Sequence, residues 1–272
     1  MTRTVLPAKT EPSPARHLSL AARSEWIKLR TVRTSLYVLG SALLLSVALS
    51  ALVSSTNTAR TGPGFDPANI TMSGLFVGQY LLASFGALAI TSEFGTGLIR
   101  ASLTATPRRL VLLAGKAAAV TGAALLAGLV IVACCLAISE TVFFHRAPHA
   151  QLTDGPVIRV LTESVLTLVI SAVLGLGLGA LIRNSAGALV AAAVVFFLAL
   201  PVVSHLPAGI IRTTLAWLLP FISTAWATRT GPMSHYAVVH QAPGPLSGLA
   251  AFAGEALLAL IAGAIVLARR DA

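Results

Sequence analysis

Residues 91–116 read TSEFGTGLIRASLTATPRRLVLLAGK and separate two apolar runs, residues 75–90 and 117–139. Both runs are apolar enough for lipid, whereas the segment between them carries one carboxylate, three arginines and a lysine. The pattern predicts two membrane-spanning helices joined by a polar segment on the cytoplasmic side. A partner that drives the protein is expected to touch it there.

The composition excludes a soluble globular domain, because 56% of the residues are hydrophobic and only 10% are charged. A helix needs about 20 mostly apolar residues to cross about 30 Å of hydrocarbon. The sequence predicts an all-α integral membrane protein with six spans, at about residues 35–54, 75–91, 116–139, 159–181, 186–205 and 246–267.

The distribution of basic residues decides between six and seven spans. With six spans and both termini in the cytoplasm, fourteen of the 19 basic residues lie inside, as the positive-inside rule demands. A seventh span at 208–228 would place Arg269 and Arg270 outside. That segment, broken by Pro220, is therefore predicted to form short re-entrant helices in the outer leaflet, with Trp217 and Trp226 at the interface.

Other functional classes receive little support. The net charge is +10, but the basic residues flank the spans and form no basic face with interleaved aromatic residues. No nucleic-acid partner is therefore predicted. Cys134 and Cys135 are adjacent within a span and are predicted to be packing residues. The first apolar run is of span length and is preceded by polar residues, so we expect an uncleaved anchor.

The N-terminal region divides into two parts. Residues 1–17 contain three prolines among small and charged residues and are predicted to be a disordered cytoplasmic tail. Residues 18–33 place Leu18, Ala22, Trp26, Leu29 and Val32 on one helical face, flanked by basic residues. This pattern predicts an amphipathic helix on the inner leaflet, and the alternative is a simple positive stop before the first span.

The polar loop at 92–109 has its own signals. Gly95 and Gly97 permit a sharp exit from the second span, and Thr106 with Pro107 is typical of a helix start. Glu93 has two interpretations. In the first, Glu93 pairs with Arg100 or with the basic N-terminal helix. In the second, Glu93 contacts a cationic or amide group of a cytosolic partner.

Two stretches, residues 24–35 (SEWIKLRTVRTS) and residues 91–116, resemble the membrane subunits of ABC-2 type transporters. The resemblance is greatest to small bacterial, often actinobacterial, permeases of drug and antibiotic export or resistance systems. The resemblance implies an elbow helix before the first span and a coupling helix on the ATPase after the second. Residues carried over to the coupling region are Glu93, Phe94, Gly97, Arg100, Pro107, Arg108 and Arg109, and those of the elbow are Glu25, Trp26, Lys28 and Arg30.

The chain lacks a P-loop of its own, because its only Gly-Lys pair, at Gly115, is followed by Ala117 and has Leu110 where the motif needs glycine. No cofactor is therefore expected in this chain. The resemblance implies two separate cytosolic ATPase subunits, which bind ATP and Mg, and a second permease subunit of the same or another kind. The resemblance also implies that the protein lies in a bacterial cytoplasmic membrane. A transport path lined by apolar spans with few charges suits a lipophilic or amphipathic cargo.

Ionisable residues within spans are candidate functional sites by default. Arg159 and Glu163 are spaced to form a pair, and Glu140 and Glu255 are the other two candidates. Glu255 is either a packing residue or a substrate or gating group. Gly175, Gly177 and Gly179 permit close helix packing, within one subunit or at a dimer seam.

Three functions are compatible with these patterns. An ATP-driven exporter permease predicts association with a cytosolic ATPase through residues 92–109. A secondary transporter would need an ion path, for which Glu255 is the lone candidate, and no inverted repeat is visible. An intramembrane hydrolase would need Ser185 to meet His205, but a helix would separate them by about 30 Å.

Overall fold

The computed structural model describes residues 14–57, 65–98, 109–143, 155–207, 209, 219–230 and 245–269. Within these residues the chain is helical and has no strand. The helices are α1 Pro14–Thr31, α2 Arg33–Thr56, α3 Pro67–Thr71, α4 Leu75–Thr96, α5 Arg109–Phe143, α6 Gly155–Ile182, α7 Ser185–Ala193, α8 Ala199–Ser204, α9 Pro220–Ala227 and α10 Pro245–Arg269. A 3₁₀ turn, Met72–Gly74, joins α3 to α4, and a π-helix, Val194–Leu198, joins α7 to α8.

Five segments of the described chain are long and apolar enough to cross a membrane, and they contain five of the six predicted spans: Arg33–Thr56, Pro67–Thr96, Arg109–Thr141, Gly155–Ile182 and Leu246–Arg269. The remaining predicted span, 186–205, is a composite of α7, the π-helix and α8, whose apolar part, Ser185–Leu198, is shorter. The prediction of an all-helical, membrane-type architecture is confirmed.

One predicted boundary is wrong: residues 14–17 belong to α1, although the sequence predicts a disordered tail up to residue 17, and residues 1–13 lie outside the described part. α4 continues past residue 92, the predicted start of the polar loop, and ends at Thr96 beside the glycine predicted to form the exit. α5 already includes Arg109, and the predicted helix start at Thr106 and Pro107 lies outside the described residues.

α4 and α6 form the centre of the bundle. In their most apolar windows 67% and 61% of the residues are buried, against 17% in α2 and 17% in α10. The two helices approach so closely that a Cβ on Gly175 would lie 1.8 Å from the carbonyl oxygen of Ala83, and one on Gly86 would lie 1.9 Å from that of Ala172. Such contact between backbones requires glycine.

The glycine spacing in α6 therefore serves packing within one chain. Gly179 follows Gly175 on the same face and lies against Ala87 of α4. Gly177, on another face, lies against Ala259 of α10. The prediction of small-xxx-small packing inside the subunit is confirmed. Both α4 and α10 pack on α6 through its glycines.

α9 covers the end of the bundle opposite to α1. Its Thr224 hydroxyl donates to Gln79 Oε1 at 2.7 Å, and Asn69 Nδ2 donates to Thr228 Oγ1, just beyond α9, at 2.9 Å. Arg159 binds the carbonyl oxygen of Arg229 at 2.6 Å. α9 is thus bound to other helices through buried or half-buried polar groups, the condition for irregular backbone within a membrane. Of the predicted segment 208–228, residues 208 and 210–218, with Trp217, lie outside the described part, as does the side chain of Trp226.

Replacing Gly175 by alanine is expected to destabilise the fold, because the new methyl group would overlap the Ala83 carbonyl. Overpacking of this kind costs about 1–3 kcal/mol or more. Gly40→Ala is the matched control, since nothing lies within 4 Å of its Cβ position. Thermal unfolding of the two variants in detergent, followed by circular dichroism, tests this. Equal unfolding temperatures would contradict the close contact between α4 and α6.

Candidate functional site

One end of the bundle gathers four charged side chains of the described chain into a single, largely buried group. The C-terminal end of α4, the N-terminal part of α5 and the helix α1 meet there. α1 packs mainly along α5, and a Cβ on Gly115 of α5 would lie 2.8 Å from the Cβ of Ala21. This close approach brings Glu25, one turn beyond Ala21, against Lys116, the residue after Gly115.

The resulting ion cluster consists of Glu25, Lys28, Glu93 and Lys116. The Lys116 ammonium donates to Glu25 Oε2 at 2.5 Å, to Glu93 Oε1 at 2.9 Å and to the carbonyl oxygen of Ala89 at 3.1 Å. Lys28 donates to Glu25 Oε1 at 2.7 Å and to Glu93 Oε1 at 3.0 Å. The three donors of Lys116 are all used, and two carboxylates balance two ammonium groups.

Burial makes these pairs unlike surface salt bridges. The side chains of Glu25 and Lys116 are each only 3% exposed, and that of Glu93 is 8% exposed. A buried charge is tolerated only when it is paired and hydrogen-bonded, and removal of one partner is strongly destabilising. The cluster therefore requires α1, α4 and α5 to stay together.

Lys28 forms the outer edge of the ion cluster, with 43% of its side chain exposed. Partial burial lowers the pKa of the Lys28 ammonium, but the hydrogen bonds and charges of Glu25 and Glu93 outweigh it and hold the pKa above its ordinary value. Lys28 stays protonated at any physiological pH.

A cavity of about 690 Å³ adjoins the ion cluster. α1, the start of α2, the end of α4 and α5 provide its described walls. Glu25, Lys28, Glu93 and Lys116 line one side, and apolar residues including Val38, Phe85, Leu88 and Leu112 line the rest. A largely apolar cavity with a few convergent polar groups is typical of a binding site for a small molecule.

A second set of contacts at the same end fixes α10. Arg109 donates to the carbonyl oxygen of Leu267 at 3.0 Å, and Arg183 donates to that of Val266 at 2.9 Å. Both carbonyls lie in the last turn of α10, where no further amide group of the helix can reach them. The Arg183 guanidinium also lies 5.2 Å from the ring centroid of Phe94, a cation–π contact.

The structure gives Glu93 the first of its two predicted interpretations. It pairs with the N-terminal helix through Lys28, and its burial leaves little of it for a cytosolic partner. Phe94 is half-buried in α4. Gly97 ends α4 with φ +73°, so the predicted exit is confirmed there, while Gly95 is still helical. Arg100, Pro107 and Arg108 lie outside the described residues, as does Thr106.

The predicted apolar face of the N-terminal helix is only partly exposed. Ala22, Trp26 and Leu29 are half-buried, and the Trp26 ring lies 3.4 Å from the Cβ position of Gly122 in α5. This face therefore packs partly against α5, and its contact with lipid stays a prediction. Small residues on α5 admit the ring. From Ser19 onward, the exposed apolar residues of α1 are Leu20 and Ile27, and Arg30 is also exposed.

The candidate sites within the spans have separate outcomes. The predicted Arg159–Glu163 pair is confirmed, with Arg159 Nη1 donating to Glu163 Oε2 at 3.0 Å. Glu140 is half-buried near the end of α5. Glu255 is half-buried and makes no hydrogen bond or ion pair with the described residues. Ser185 binds Thr91 at the start of the composite helix, and His205 follows its other end, so the two cannot meet.

Sequence reasoning missed Lys116 and Arg183 as site residues. The hydropathy pattern places Lys116 at the border of a span, although Arg109 already precedes the apolar run from Leu110 to Gly115. A lysine two turns inside an apolar helix is the signal that could have identified it, since such a charge demands a partner. The sequence around Arg183 contains no such signal, because its partners, the carbonyl oxygen of Val266 and the ring of Phe94, lie far away along the chain.

A scan against models of protein families matches none, and a search of curated proteins gives no significant relative. Among the described residues, no three His, Cys, Asp or Glu side chains are grouped so that they could hold a metal ion.

Lys116→Met is expected to lower the free energy of unfolding by about 3–5 kcal/mol, because it leaves two carboxylates buried without their main partner. Lys28→Met should cost less than Lys116→Met, because the Lys28 side chain is partly exposed and Lys116 still pairs with both carboxylates in its absence. SDS titration of both variants measures the difference. Adding Glu25→Gln and Glu93→Gln to Lys116→Met should restore part of the loss, and absence of any recovery would contradict charge compensation.

The contribution of Lys28 to the free energy of unfolding should be lost at alkaline pH. Its pKa is raised in the folded chain above the ordinary value of 10.5, so its contribution is complete below about that pH and is lost as the pH rises through the folded pKa. The stability difference between wild type and Lys28→Met should be constant from pH 8 to 10 and shrink above it. A difference that grows with pH would contradict the assigned pairing.

Proposed function

We propose that the chain is the permease subunit of an ATP-driven exporter of the ABC-2 type, energised by separate cytosolic ATPase subunits. The observation that supports this best is the buried ion cluster. It lies where the predicted elbow helix, the end of the predicted second span and the start of the third come together, beside the predicted coupling segment. That arrangement suits a joint which receives force from outside the membrane.

The geometry of the ion cluster is suited to transmission. Lys116 of α5 binds Glu25 of α1 and Glu93 of α4, so a displacement of one helix end must carry the other two with it. Separating them would leave charges buried without partners. In the proposed mechanism, ATP-driven closure of the partner domains pushes residues 98–108, and the joint passes the movement to α4 and α5.

Exposed apolar surface provides room for the proposed second permease subunit and for lipid. On α2 the residues Leu36, Tyr37, Leu44 and Leu52 are at least half exposed. On the composite helix Val190, Leu198 and Val202 are exposed to a similar degree. An apolar path between two such surfaces suits a lipophilic or amphipathic cargo. In this proposal both termini lie in the cytoplasm of a bacterial cell.

Association with an ATPase is tested at the exposed end of α4. Leu98 is 58% exposed next to Gly97, and Leu98→Glu should reduce co-purification of a P-loop ATPase and abolish ATP-dependent cargo export, without changing thermal stability. Thr141→Glu, an exposed position at the opposite end of α5, is the matched control. The measurements are affinity purification from native membranes and transport in proteoliposomes.

Two outcomes would overturn the proposal. One is recovery of the folded chain from native membranes without any P-loop ATPase. The other is transport driven by an ion gradient in the absence of ATP, which would establish a secondary transporter. Glu93→Arg is not a test of docking, because charge reversal inside the ion cluster would unfold the joint itself.

A further inference from the structure

One carboxylate lies deep in the bundle and away from the ion cluster. Glu255 is ten residues after Pro245, where α10 begins, and fourteen residues before Arg269, where α10 ends. At about 1.5 Å per residue, Glu255 is about 15 Å from one end of the helix and about 21 Å from the other. It therefore lies well inside the hydrocarbon of a membrane about 30 Å thick.

The carboxylate of Glu255 is both uncompensated and accessible. Glu25, Glu93 and Glu163 are each paired with a basic side chain, whereas Glu255 makes no hydrogen bond or ion pair with the described residues. Its oxygens are not buried, in contrast to the unpartnered oxygens Glu93 Oε2 and Glu163 Oε1, which have almost no accessible surface. A group from outside the chain can therefore touch the Glu255 carboxylate.

Small residues surround Glu255 on the open side of α10. Ala251 and Ala259, one helical turn away in either direction, carry only a methyl group. Nothing lies within 4 Å of the Cβ position of Gly254, and Leu258, which follows on this side, is 68% exposed. The carboxylate thus lies in a shallow depression at the edge of the packed face of α10.

Packing on the other side of α10 fixes where this carboxylate lies. A Cβ on Gly177 of α6 would be 2.6 Å from the Ala259 backbone, and the buried ring of Phe252 meets that of Phe196 edge-on, with centroids 6.3 Å apart. Both contacts lie within about one turn of Glu255 along α10. The backbone that carries the carboxylate is therefore held in place before any ligand arrives.

The surroundings restrict the partner of Glu255 to an organic cation. A carboxylate in hydrocarbon is costly unless a positive charge neutralises it. A metal ion needs several oxygen, nitrogen or sulfur ligands, and the described residues contain no group of three His, Cys, Asp or Glu side chains that could supply them. The neighbours of Glu255 on this side offer alkyl groups only. An organic cation needs one carboxylate and apolar contacts, which the depression provides.

We propose that Glu255 binds the positive charge of a lipophilic organic cation, whose apolar groups lie against Ala251 and Leu258. The inference deepens the proposed function and rests on it only for the identification of this cation as the cargo. Binding at Glu255 needs neither ATP nor an ATPase, so the site and the proposed function fail on different results.

Tritiated tetraphenylphosphonium is the probe, because its permanent charge is enclosed by four phenyl rings. Equilibrium dialysis against the full chain in dodecyl maltoside, without ATP or ATPase, should show saturable binding at one site per chain. Unlabelled tetraphenylphosphonium should displace the probe. Triphenylphosphine oxide, which has a similar shape and no net charge, should compete about ten-fold less well because it cannot neutralise the carboxylate.

Four variants locate the site. Glu255→Gln keeps the size of the side chain, removes its charge and should weaken binding about ten-fold, whereas Glu255→Asp should bind more tightly than Glu255→Gln. Leu257→Gln is the matched control, because it places the same amide at an exposed position on the opposite side of α10, and it should leave the affinity unchanged. Ala251→Leu fills the depression and should weaken binding while the carboxylate stays. Thermal unfolding verifies that each variant is folded.

The opposite results are equally clear. Absence of saturable binding, or equal affinity of wild type and Glu255→Gln, would overturn the cation site. Loss of self-association in Glu255→Gln, measured by light scattering, would instead assign the carboxylate to a basic residue of a second copy. ATP-driven export that is unaffected by Glu255→Gln would remove the site and leave the proposed function, whereas probe binding that depends on Glu255 in a chain without any ATPase would do the reverse.

Discussion

The structure depends on the compensation of one buried charge. Lys116 lies inside an apolar helix, and its ammonium group is paired there with Glu25 and Glu93. Glu25 is supplied by a helix that precedes the first span, and Glu93 by the end of α4. A single electrostatic requirement therefore holds α1 against α4 and α5.

Close packing carries this arrangement along the bundle. The contact of Gly175 and Gly86 with facing backbone joins α4 to α6, and Gly177 joins α6 to α10. Since α4 and α5 are held at one end by the ion cluster and α10 by Arg109 and Arg183, these helices form a continuous set of direct contacts. Packed groups of this kind move as bodies and do not deform smoothly.

The sequence was sufficient for the helical class, for most of the spans and for the Arg159–Glu163 pair, because hydropathy and i, i+4 spacing are local properties. It could not give the partners of the buried charges, because residues far along the chain supply them, Glu25 to Lys116 above all. For the same reason the sequence predicts two kinds of partner for Glu93, and the structure shows its contacts with Lys28 and Lys116.

The same contacts limit where the chain can change shape under the proposed function. Moving α1 away from α4 and α5 would expose unpaired charge to an apolar interior, and moving α4 from α6 would break backbone contacts that only glycine allows. The composite helix is under less constraint: Ser185 anchors its start to Thr91, and its centre is a π-helix, a geometry that often accompanies functional movement. Rearrangement in a transport cycle would therefore concentrate between the rigid α4–α6 core and the segment from α7 to α8.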